Sequence, residues 1–428
     1  TRLLLSELRS SHPFVMFILG FSYVCMLGSG GKKMREVVIV SGARTPVGRF
    51  GGSFKDVSAP DLGAAAIKAA LDRSGISPDM VDEVVIGNAV QAAEAGYAAR
   101  LSSLKSGIPE ETPTIAINRQ CSSGLEAINM AAQLIKTGEA DIAVAGGTEN
   151  MSQVPYLIDY KARFDGLRMG DSTLVDGLTE GLGCPVNRYH MGVTAENVAE
   201  RFGVSREDQD ELAYISHIRS SNAISEGRFS NQITKVDVPQ RRSDPIKIQT
   251  DEGPRSDTTM EGLSGLRPVF KKDGTVTAGN ASSINDGAAM VVMMSKEKAK
   301  SLSITPRMKW HTRGVAGVDP AIMGIGPVPA VKKAIDRAGM SVNDIDVIEL
   351  NEAFASQALY CIRELNLDID KTNPNGSGIS LGHPVGATGA IMTVKLMEEL
   401  ERSDSHLGLV TMCVGGGQGV ATVFERLN

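Results

Sequence analysis

Two cysteines and a histidine lie in stretches whose residue types could carry out nucleophilic chemistry. Cys121 opens the stretch CSSGLEAINM and directly precedes an amphipathic helical pattern. The positive end of a helix and a nearby histidine can stabilise a thiolate at such a place. His383 lies between a glycine and a proline, and Cys413 ends an apolar run that leads into three glycines at 415–417. Because glycines let backbone N–H groups approach a ligand, the second thiol is predicted to have donors beside it.

Each of these residues also has a purely structural interpretation. A lone cysteine is usually a small buried apolar residue, and a lone histidine often bonds to the backbone. Asn351 begins the stretch NEAFA, directly after a predicted strand. Ligand sites of open α/β sheets lie at the carboxyl ends of strands, which favours a functional Asn351 over a turn residue. The elements around these residues decide between the interpretations.

Short β-branched runs alternate with helical patterns from Met34 onward. Strands are predicted at 36–40, 84–86, 114–117 and 142–145, and helices at 61–73, in the nineties and at 124–136. Such alternation, with nearly continuous apolar strands, predicts an α/β fold whose mixed or parallel sheet is covered on both faces.

The chain contains one α/β unit twice. Residues 66–90 align without a gap on residues 330–354, an offset of 330 − 66 = 264, with identities that include Gly75/Gly339 and Asp82/Asp346. The same offset carries Cys121 to position 385, close to His383. If the two units pack around a pseudo-twofold axis, the helix starts at Cys121 and His383 converge, which favours the chemical interpretation of both.

The repeat also predicts the domain organisation. The first half of the core is expected at 34–150 plus 284–307, and the second half at 308–428. The polar, Gly- and Pro-rich stretch 151–283 is predicted to be an inserted domain. Residues 1–33 have no counterpart in the repeat and are predicted to be an upstream or non-native extension without function, with a targeting segment as the alternative.

Composition excludes several classes. The chain has 428 residues, 42% of them hydrophobic, and a net charge of −6, so no basic field suggests nucleic acid. Five scattered cysteines without a CxxC pair argue against a disulfide framework and a metal site. We therefore expect a reducing, cytoplasmic setting with no nucleic-acid or membrane partner.

Three motifs resemble those of the thiolase family, in particular its short-chain type. NRQCSSGLEAINMAAQLIKTG resembles the acyl-enzyme segment, NPNGSGISLGHPVGATG the histidine segment, and GLVTMCVGGGQGVA the C-terminal cysteine segment. The resemblance runs from Met34 to the end, with Ser377 at a position that is usually glycine. It implies a duplicated α/β core of two mixed-sheet halves, layered α-β-α-β-α, with an inserted loop domain.

The resemblance implies acetyl-CoA C-acetyltransferase activity, a ping-pong Claisen condensation of two acetyl-CoA to acetoacetyl-CoA plus CoA, and its reverse. Cys121, activated by His383, would carry the acetyl group, and Cys413 would remove a proton from the second acetyl-CoA. A water on Asn351, with His383, would stabilise the enolate oxygen. The N–H groups of Cys121 and Gly415 would stabilise the tetrahedral intermediate.

The resemblance also implies a coenzyme A site and a narrow acyl pocket, without a metal or a further cofactor, because the coenzyme A thioesters are substrates. A homodimer or homotetramer is expected. The residues implied to bind CoA or the acyl group are Leu182, His190, Met191, Arg255, Phe270, Ala278, Ser282, Met323, Ala353 and Phe354.

Other functions remain open at this stage. A broader-chain 3-ketoacyl-CoA thiolase would use the same residues. A decarboxylating ketoacyl synthase is disfavoured by the second cysteine in CVGGGQG, and a non-catalytic acyl- or lipid-binding protein by the intact Cys121, His383, Cys413 and Asn351. A redox-switch protein would need a reversible disulfide between Cys121 and Cys413. The sequence gives neither the direction of the reaction nor the upper acyl length.

Overall fold

The computed structural model describes residues 34–427, so the prediction for residues 1–33 lies outside the described part. The strands are β1 Val37–Arg44, β2 Gly48–Arg49, β3 Glu83–Gly87, β4 Thr114–Ile117, β5 Ile142–Asn150, β6 Tyr156–Ile158, β7 Leu174–Asp176, β8 Gly183–Cys184, β9 Tyr189–His190, β10 Val236–Val238, β11 Ile246–Ile248, β12 Asn285–Ser295, β13 Met308–Gly317, β14 Val347–Leu350, β15 Leu407–Val414 and β16 Gln418–Arg426.

The α-helices are α1 Ala59–Ser74, α2 Ala98–Ser106, α3 Ser123–Thr137, α4 Ala162–Asp165, α5 Gly177–Gly181, α6 Met191–Phe202, α7 Arg206–Ser225, α8 Met260–Ser264, α9 Lys296–Ser301, α10 Pro327–Ala338, α11 Ala355–Glu364, α12 Gly378–Leu381 and α13 Thr388–Arg402. Short 3₁₀ helices cover Pro78–Met80, Ala93–Tyr97, Met151–Gln153, Pro320–Ile325 and Val342–Asp344. The predicted helix in the nineties therefore begins as a 3₁₀ turn and becomes α-helical at Ala98.

One mixed sheet runs through the core in the order β14-β15-β16-β13-β1-β12-β5-β3-β4, with β2 paired to β12. Strand β3 lies parallel to β4 and β5, and β14 lies parallel to β15, whereas the other ladders of this sheet are antiparallel. The expected two sheets are joined by a short ladder, because Val38 of β1 faces Lys309 and Ile39 faces Met308 of β13. The prediction of a mixed α/β fold is confirmed. The ladder between β1 and β13, which joins the two half-sheets into one sheet, was not predicted.

The apolar side chains form layers around this sheet. Helix α1 packs on the outer face of the first half-sheet, and helices α10 and α11 pack on the outer face of the second. Between the half-sheets, α3 and α13 share one core that receives side chains from both. The order of the layers is α-β-α-β-α, as expected. The two helices of the central layer, α3 and α13, are those that follow Cys121 and His383.

The two halves repeat local structure as well as sequence. Gly75 and Gly339 end α1 and α10 with φ of 67° and 66°, a left-handed conformation that suits glycine. Asp82 accepts the N–H groups of residues 141 and 142, and Asp346 accepts those of residues 406 and 407. The offset is thus 264 up to the aspartates, 388 − 123 = 265 at the starts of α13 and α3, and 406 − 141 = 265 after these helices. The helix starts correct the counterpart of Cys121 from residue 385 to Gly386.

A single tryptophan bridges the halves in the central layer. Trp310 of β13 is 6% exposed, and its indole N–H donates to Asn129 Oδ1 of α3 at 2.8 Å. The same oxygen accepts the hydroxyl of Thr422 of β16 at 3.0 Å. Polar bonds as well as apolar packing therefore hold the first-half helix on the second half-sheet.

The stretch between β5 and β12 consists of two-stranded hairpins and helices, of which α6 and α7 are the longest. The boundaries of an inserted domain at 151 and 283 stay a prediction. Within residues 34–427 no helix combines the length and the apolar character needed to cross a bilayer.

Candidate active site

Cys121 lies in the turn between β4 and α3, directly before Ser122, the N-cap residue of that helix. The preceding Gln120 has φ of 45°, which turns the chain sharply into the helix. Burial raises the pKa of the Cys121 thiol, whereas the backbone N–H groups of Gly415 and of Cys121 itself lower it. Two backbone N–H groups can thus stabilise the Cys121 thiolate. Because burial raises the pKa more than these donors lower it, the thiol needs a base to lose its proton.

His383 lies in the turn between α12 and α13, where its main chain and ring are both fixed. Its N–H donates to Asn285 Oδ1 at 2.9 Å, and Gly382 before it has φ of 108°, with no room for a Cβ beside the Asn285 amide. The Nδ1 atom lies 2.7 Å from Thr388 Oγ1. That hydroxyl gives its own proton to the Pro384 carbonyl at 2.9 Å, so it accepts from Nδ1–H.

This bonding assigns the neutral tautomer of His383. With the proton on Nδ1, Nε2 carries a lone pair, and within the described residues that buried atom has no hydrogen-bond partner. Burial lowers the pKa of His383 to about 4, so the ring is neutral at pH 7. The histidine can therefore accept a proton through Nε2.

Cys413 is fully buried near the end of β15, one residue before the glycine turn that contains Gly415. Burial raises the pKa of its thiol well above the ordinary value, and the neighbouring Cys121 raises it further. In the turn, Gly416 and Gly417 have φ of 84° and 89°. These left-handed conformations need glycine, which explains the run after the second cysteine.

Asn351 follows β14 and is fully buried. Its backbone N–H donates to the Thr411 carbonyl at 3.0 Å, but neither amide atom of its side chain has a hydrogen-bond partner in residues 34–427. A Cβ on Gly378 would lie 2.7 Å from Asn351 Oδ1, so this glycine leaves room for the amide. A buried amide without protein partners is suited to hold a water or a ligand.

A cavity of about 810 Å³ unites most of the predicted site. Cys121 and His383 line it, together with all ten residues predicted to bind CoA or the acyl group. Cys413, Asn351 and Gly415 are absent from its wall. Cys413 packs directly behind that wall, in a cluster with Met191, Met323 and Phe354.

Methionines and aromatic rings narrow the cavity. A Cβ on Gly415 would lie 3.1 Å from the Met191 methyl group, so Met191 contacts the turn whose N–H reaches Cys121. The rings of His190 and Phe270 stack at 4.8 Å, and Phe354 meets Phe270 edge-on at 6.1 Å. Methionine and aromatic side chains therefore line the cavity beside the turn whose N–H reaches Cys121.

Another part of the cavity wall is polar. Arg255 is exposed there, and its backbone N–H donates to His217 Nδ1 at 3.2 Å. Burial and the adjacent Arg255 lower the pKa of His217 to about 4. Arg49 and Asp257 line the same region. A ligand in this cavity would thus meet charged groups at this part of the wall and apolar side chains beside the Gly415 turn.

Two family models cover nearly all of the described chain. The N-terminal thiolase domain matches residues 37–297, and the C-terminal thiolase domain matches residues 304–426.

The chain belongs to the thiolase family. It is 52% identical over 395 residues to beta-ketothiolase BktB and 48% identical over 394 residues to an acetyl-CoA acetyltransferase, both from Cupriavidus necator; each match covers 92% of this chain and 100% of the relative. The crystal structure of the Bacillus anthracis acetyl-CoA acetyltransferase matches with a TM-score of 0.91 and 44% identity, over 93% of this chain and 100% of that one.

This thiolase accommodates Ser377 where the motif usually has glycine. The residue has φ of −149° and ψ of −147°, which do not require glycine, and its hydroxyl donates to the Leu350 carbonyl at 3.1 Å. The serine therefore bonds to the residue before Asn351 and directly precedes α12.

Sequence reasoning missed the side chains that fix the site residues of this thiolase. Thr388 and Asn285 hold His383, and Glu149 binds the backbone of the His383 turn. Only Glu149 had a signal in the sequence: it follows the apolar run of a predicted strand, and a carboxylate that becomes buried there needs partners. The bonds of Asn285 and Thr388 depend on how distant segments fold together.

Proposed function

We propose that this thiolase is an acetyl-CoA C-acetyltransferase, which condenses two acetyl-CoA to acetoacetyl-CoA plus CoA and runs the reverse thiolysis. One observation carries the proposal. A neutral histidine with a free Nε2 lone pair and a cysteine with two backbone donors line one cavity, and a second thiol lies directly behind its wall. Those groups are a nucleophile, its base and a second proton acceptor.

In the first half-reaction, His383 Nε2 takes the Cys121 proton and the sulfur attacks the acetyl carbonyl. The N–H groups of Gly415 and Cys121 stabilise the oxyanion of the tetrahedral intermediate. The bond from carbon to the CoA sulfur then breaks, and the imidazolium returns the proton to that leaving sulfur. Free CoA departs and acetyl-Cys121 remains.

In the second half-reaction, Cys413 removes a methyl proton from a second acetyl-CoA. Acetylation of Cys121 prepares this step, because it removes a neighbour that raises the pKa of the Cys413 thiol. The carbanion attacks the acetyl carbonyl, a carbon–carbon bond forms, and the Cys121 thiolate leaves. That thiolate takes the proton from Cys413, which returns Cys121 to the thiol and Cys413 to the thiolate that removes the methyl proton. A water held by the unpaired amide of Asn351, together with His383, stabilises the enolate oxygen.

Coenzyme A thioesters are the substrates in this proposal, and no further cofactor takes part. The exposed Arg255 at the cavity mouth is suited to the nucleotide of CoA by stacking and charge. Phe270, Ala278 and Ser282 line the path inward from it. The stacked His190 and the contact of Met191 with Gly415 support a short acyl group at Cys121, so the broader-chain alternative is not favoured.

We also propose a homodimer or homotetramer that works in cytoplasmic lipid metabolism. Strand β4 ends the sheet and leaves Ile115 44% exposed, and the β6–β7 hairpin exposes Tyr156 and Leu174 to 66% and 63%. Such apolar surface supports self-association. The described cysteines Cys121, Cys184, Cys361 and Cys413 are free thiols, which supports a reducing compartment.

The experiment measures thiolysis of acetoacetyl-CoA with free CoA, and of a six-carbon 3-ketoacyl-CoA in parallel. Wild type should prefer acetoacetyl-CoA, and Met191→Ala should raise relative activity on the longer substrate, since each buried methylene adds roughly 0.8 kcal/mol of binding where room exists. Met260→Ala, which removes a methionine outside the cavity, is the control. Equal wild-type rates on both substrates would overturn the short-chain assignment.

A further inference from the structure

Glu149 has a buried carboxyl group directly behind the site. It lies near the end of β5 and is 1% exposed. Its Oε2 accepts the N–H groups of Ala89 and Gly386 at 2.9 and 2.8 Å, and its Oε1 accepts Asn88 Nδ2 at 2.9 Å and the Val90 N–H at 3.3 Å. Only an ionised carboxylate can accept from all four donors, because a protonated oxygen would itself donate. Burial opposes these donors and raises the pKa of Glu149 to about 7, so the carboxyl group is fully ionised only above that pH.

These donors belong to the two halves that meet at the active site. Residues 88–90 follow β3 of the first half, whereas Gly386 lies in the second-half turn that carries His383. The backbones are in close contact, since a Cβ on Gly147 would lie 2.1 Å from the Gly386 carbonyl oxygen. Glu149 thus ties the His383 turn to the half that carries Cys121.

The turn is fixed at a second point. Thr388, two residues after Gly386, bonds to both the His383 ring and the Pro384 carbonyl. A shift of Gly386 therefore moves Thr388 and the imidazole with it. Glu149 also acts on Cys121 directly, because its charge raises the pKa of that thiol. Cys413 is also a neighbour, because Cys121 raises the pKa of the Cys413 thiol, and His383 lines the same cavity as a neutral ring.

We propose that Glu149 is a positioning residue that holds the His383 turn in register with Cys121, an inference that rests on the proposed function. The side chain reaches neither the cavity nor the reacting atoms. It acts through the Gly386 N–H and the residue 88–90 loop. Because a misplacement of about 1 Å can cost on the order of 10²-fold in rate, losing this register should lower kcat far more than it changes KM.

Glu149→Gln and Glu149→Asp test the proposal in the full chain. The amide of glutamine replaces one acceptor oxygen by a donor that faces an N–H, so kcat should fall by roughly 10–10² with little change in KM. The same variant removes a negative charge, so the pH midpoint for alkylation of Cys121 by iodoacetamide should move down. Glu149→Asp keeps the charge but is one methylene shorter, so kcat should fall while the midpoint stays.

Glu126→Gln is the matched control, a buried carboxyl on α3 that pairs with Arg313 at 2.6 Å instead. It should leave kcat and the midpoint as in wild type. Wild-type kcat in either Glu149 variant would overturn the proposal. So would a Glu149→Gln variant whose alkylation midpoint is unchanged and whose melting temperature falls only as much as that of Glu126→Gln. Alkylation of Cys121, followed by mass spectrometry, needs no turnover, so it tests Glu149 even if acetyl-CoA is not the substrate.

Discussion

The two halves of the core follow one chain path but differ at the places where they meet. Cys121 of the first half corresponds to Gly386 of the second (121 + 265), and Cys413 corresponds to Thr148 (413 − 265). Asn351 corresponds to Gly87 (351 − 264). These side chains thus lie at the ends of strands and the starts of helices, at positions that correspond in the two halves.

The counterpart residues in the opposite half serve packing. A Cβ on Gly87 would lie 2.2 Å from the Ser123 carbonyl carbon, so this glycine lets α3 approach β3. The hydroxyl of Thr148 donates to the Ala59 carbonyl at 2.6 Å and ties β5 to α1. At each of these positions, one half has a residue with a proposed role in the reaction and the other half has a residue that serves packing. The two halves can approach closely because the packing residues are small.

Removing Cys121, the nucleophile proposed in the first half, should have the largest effect on activity. Cys121→Ala leaves no sulfur to accept the acetyl group, so turnover and covalent labelling of the protein by radiolabelled acetyl-CoA should both be lost. Cys184→Ala, another buried thiol outside the cavity, should label as wild type does. Retained labelling in Cys121→Ala would assign the nucleophile elsewhere.

Removing the second half's thiol should stop only one of the two half-reactions. Cys413→Ala should still form acetyl-enzyme but should not exchange the methyl protons of acetyl-CoA with solvent deuterium, and condensation should slow by about 10²–10⁴. NMR of the recovered acetyl-CoA measures the exchange. Cys361→Ala removes a neighbouring buried thiol and should exchange normally. Wild-type exchange in Cys413→Ala would mean that another group is the base.

The smallest effect concerns the stability of the second-half turn. Burial lowers the pKa of His383 to about 4, so the unfolded chain binds more protons than the native one between about pH 4 and 6.5. His383 therefore makes the wild type less stable as the pH falls through that window. His383→Asn lacks this contribution, so its melting temperature relative to wild type should rise by roughly a few degrees from pH 7 to pH 4. A constant difference would contradict the buried neutral histidine.

The sequence could predict which residues come together at the cavity because each lies in a pattern with a physical meaning; their roles in the reaction stay a prediction. Cys121 precedes a helix, His383 lies three residues before the counterpart of Cys121 in the repeat, and glycines follow Cys413. The acceptor carboxylate of Glu149 and the amide of Asn285 act through contacts between residues more than 90 positions apart, which no local pattern encodes. The one-residue change in offset was also hidden, because it falls between two correctly matched elements.

The fluorescence of Trp310 can report whether the two halves are in contact. It is the only tryptophan in the chain, and its bond to Asn129 holds only while α3 rests on the second half-sheet. Its fluorescence should shift to longer wavelength as soon as water enters that contact. Denaturation followed by this emission and by far-ultraviolet circular dichroism would coincide if the duplicated halves melt as one cooperative unit, and would separate if one half outlasts the other.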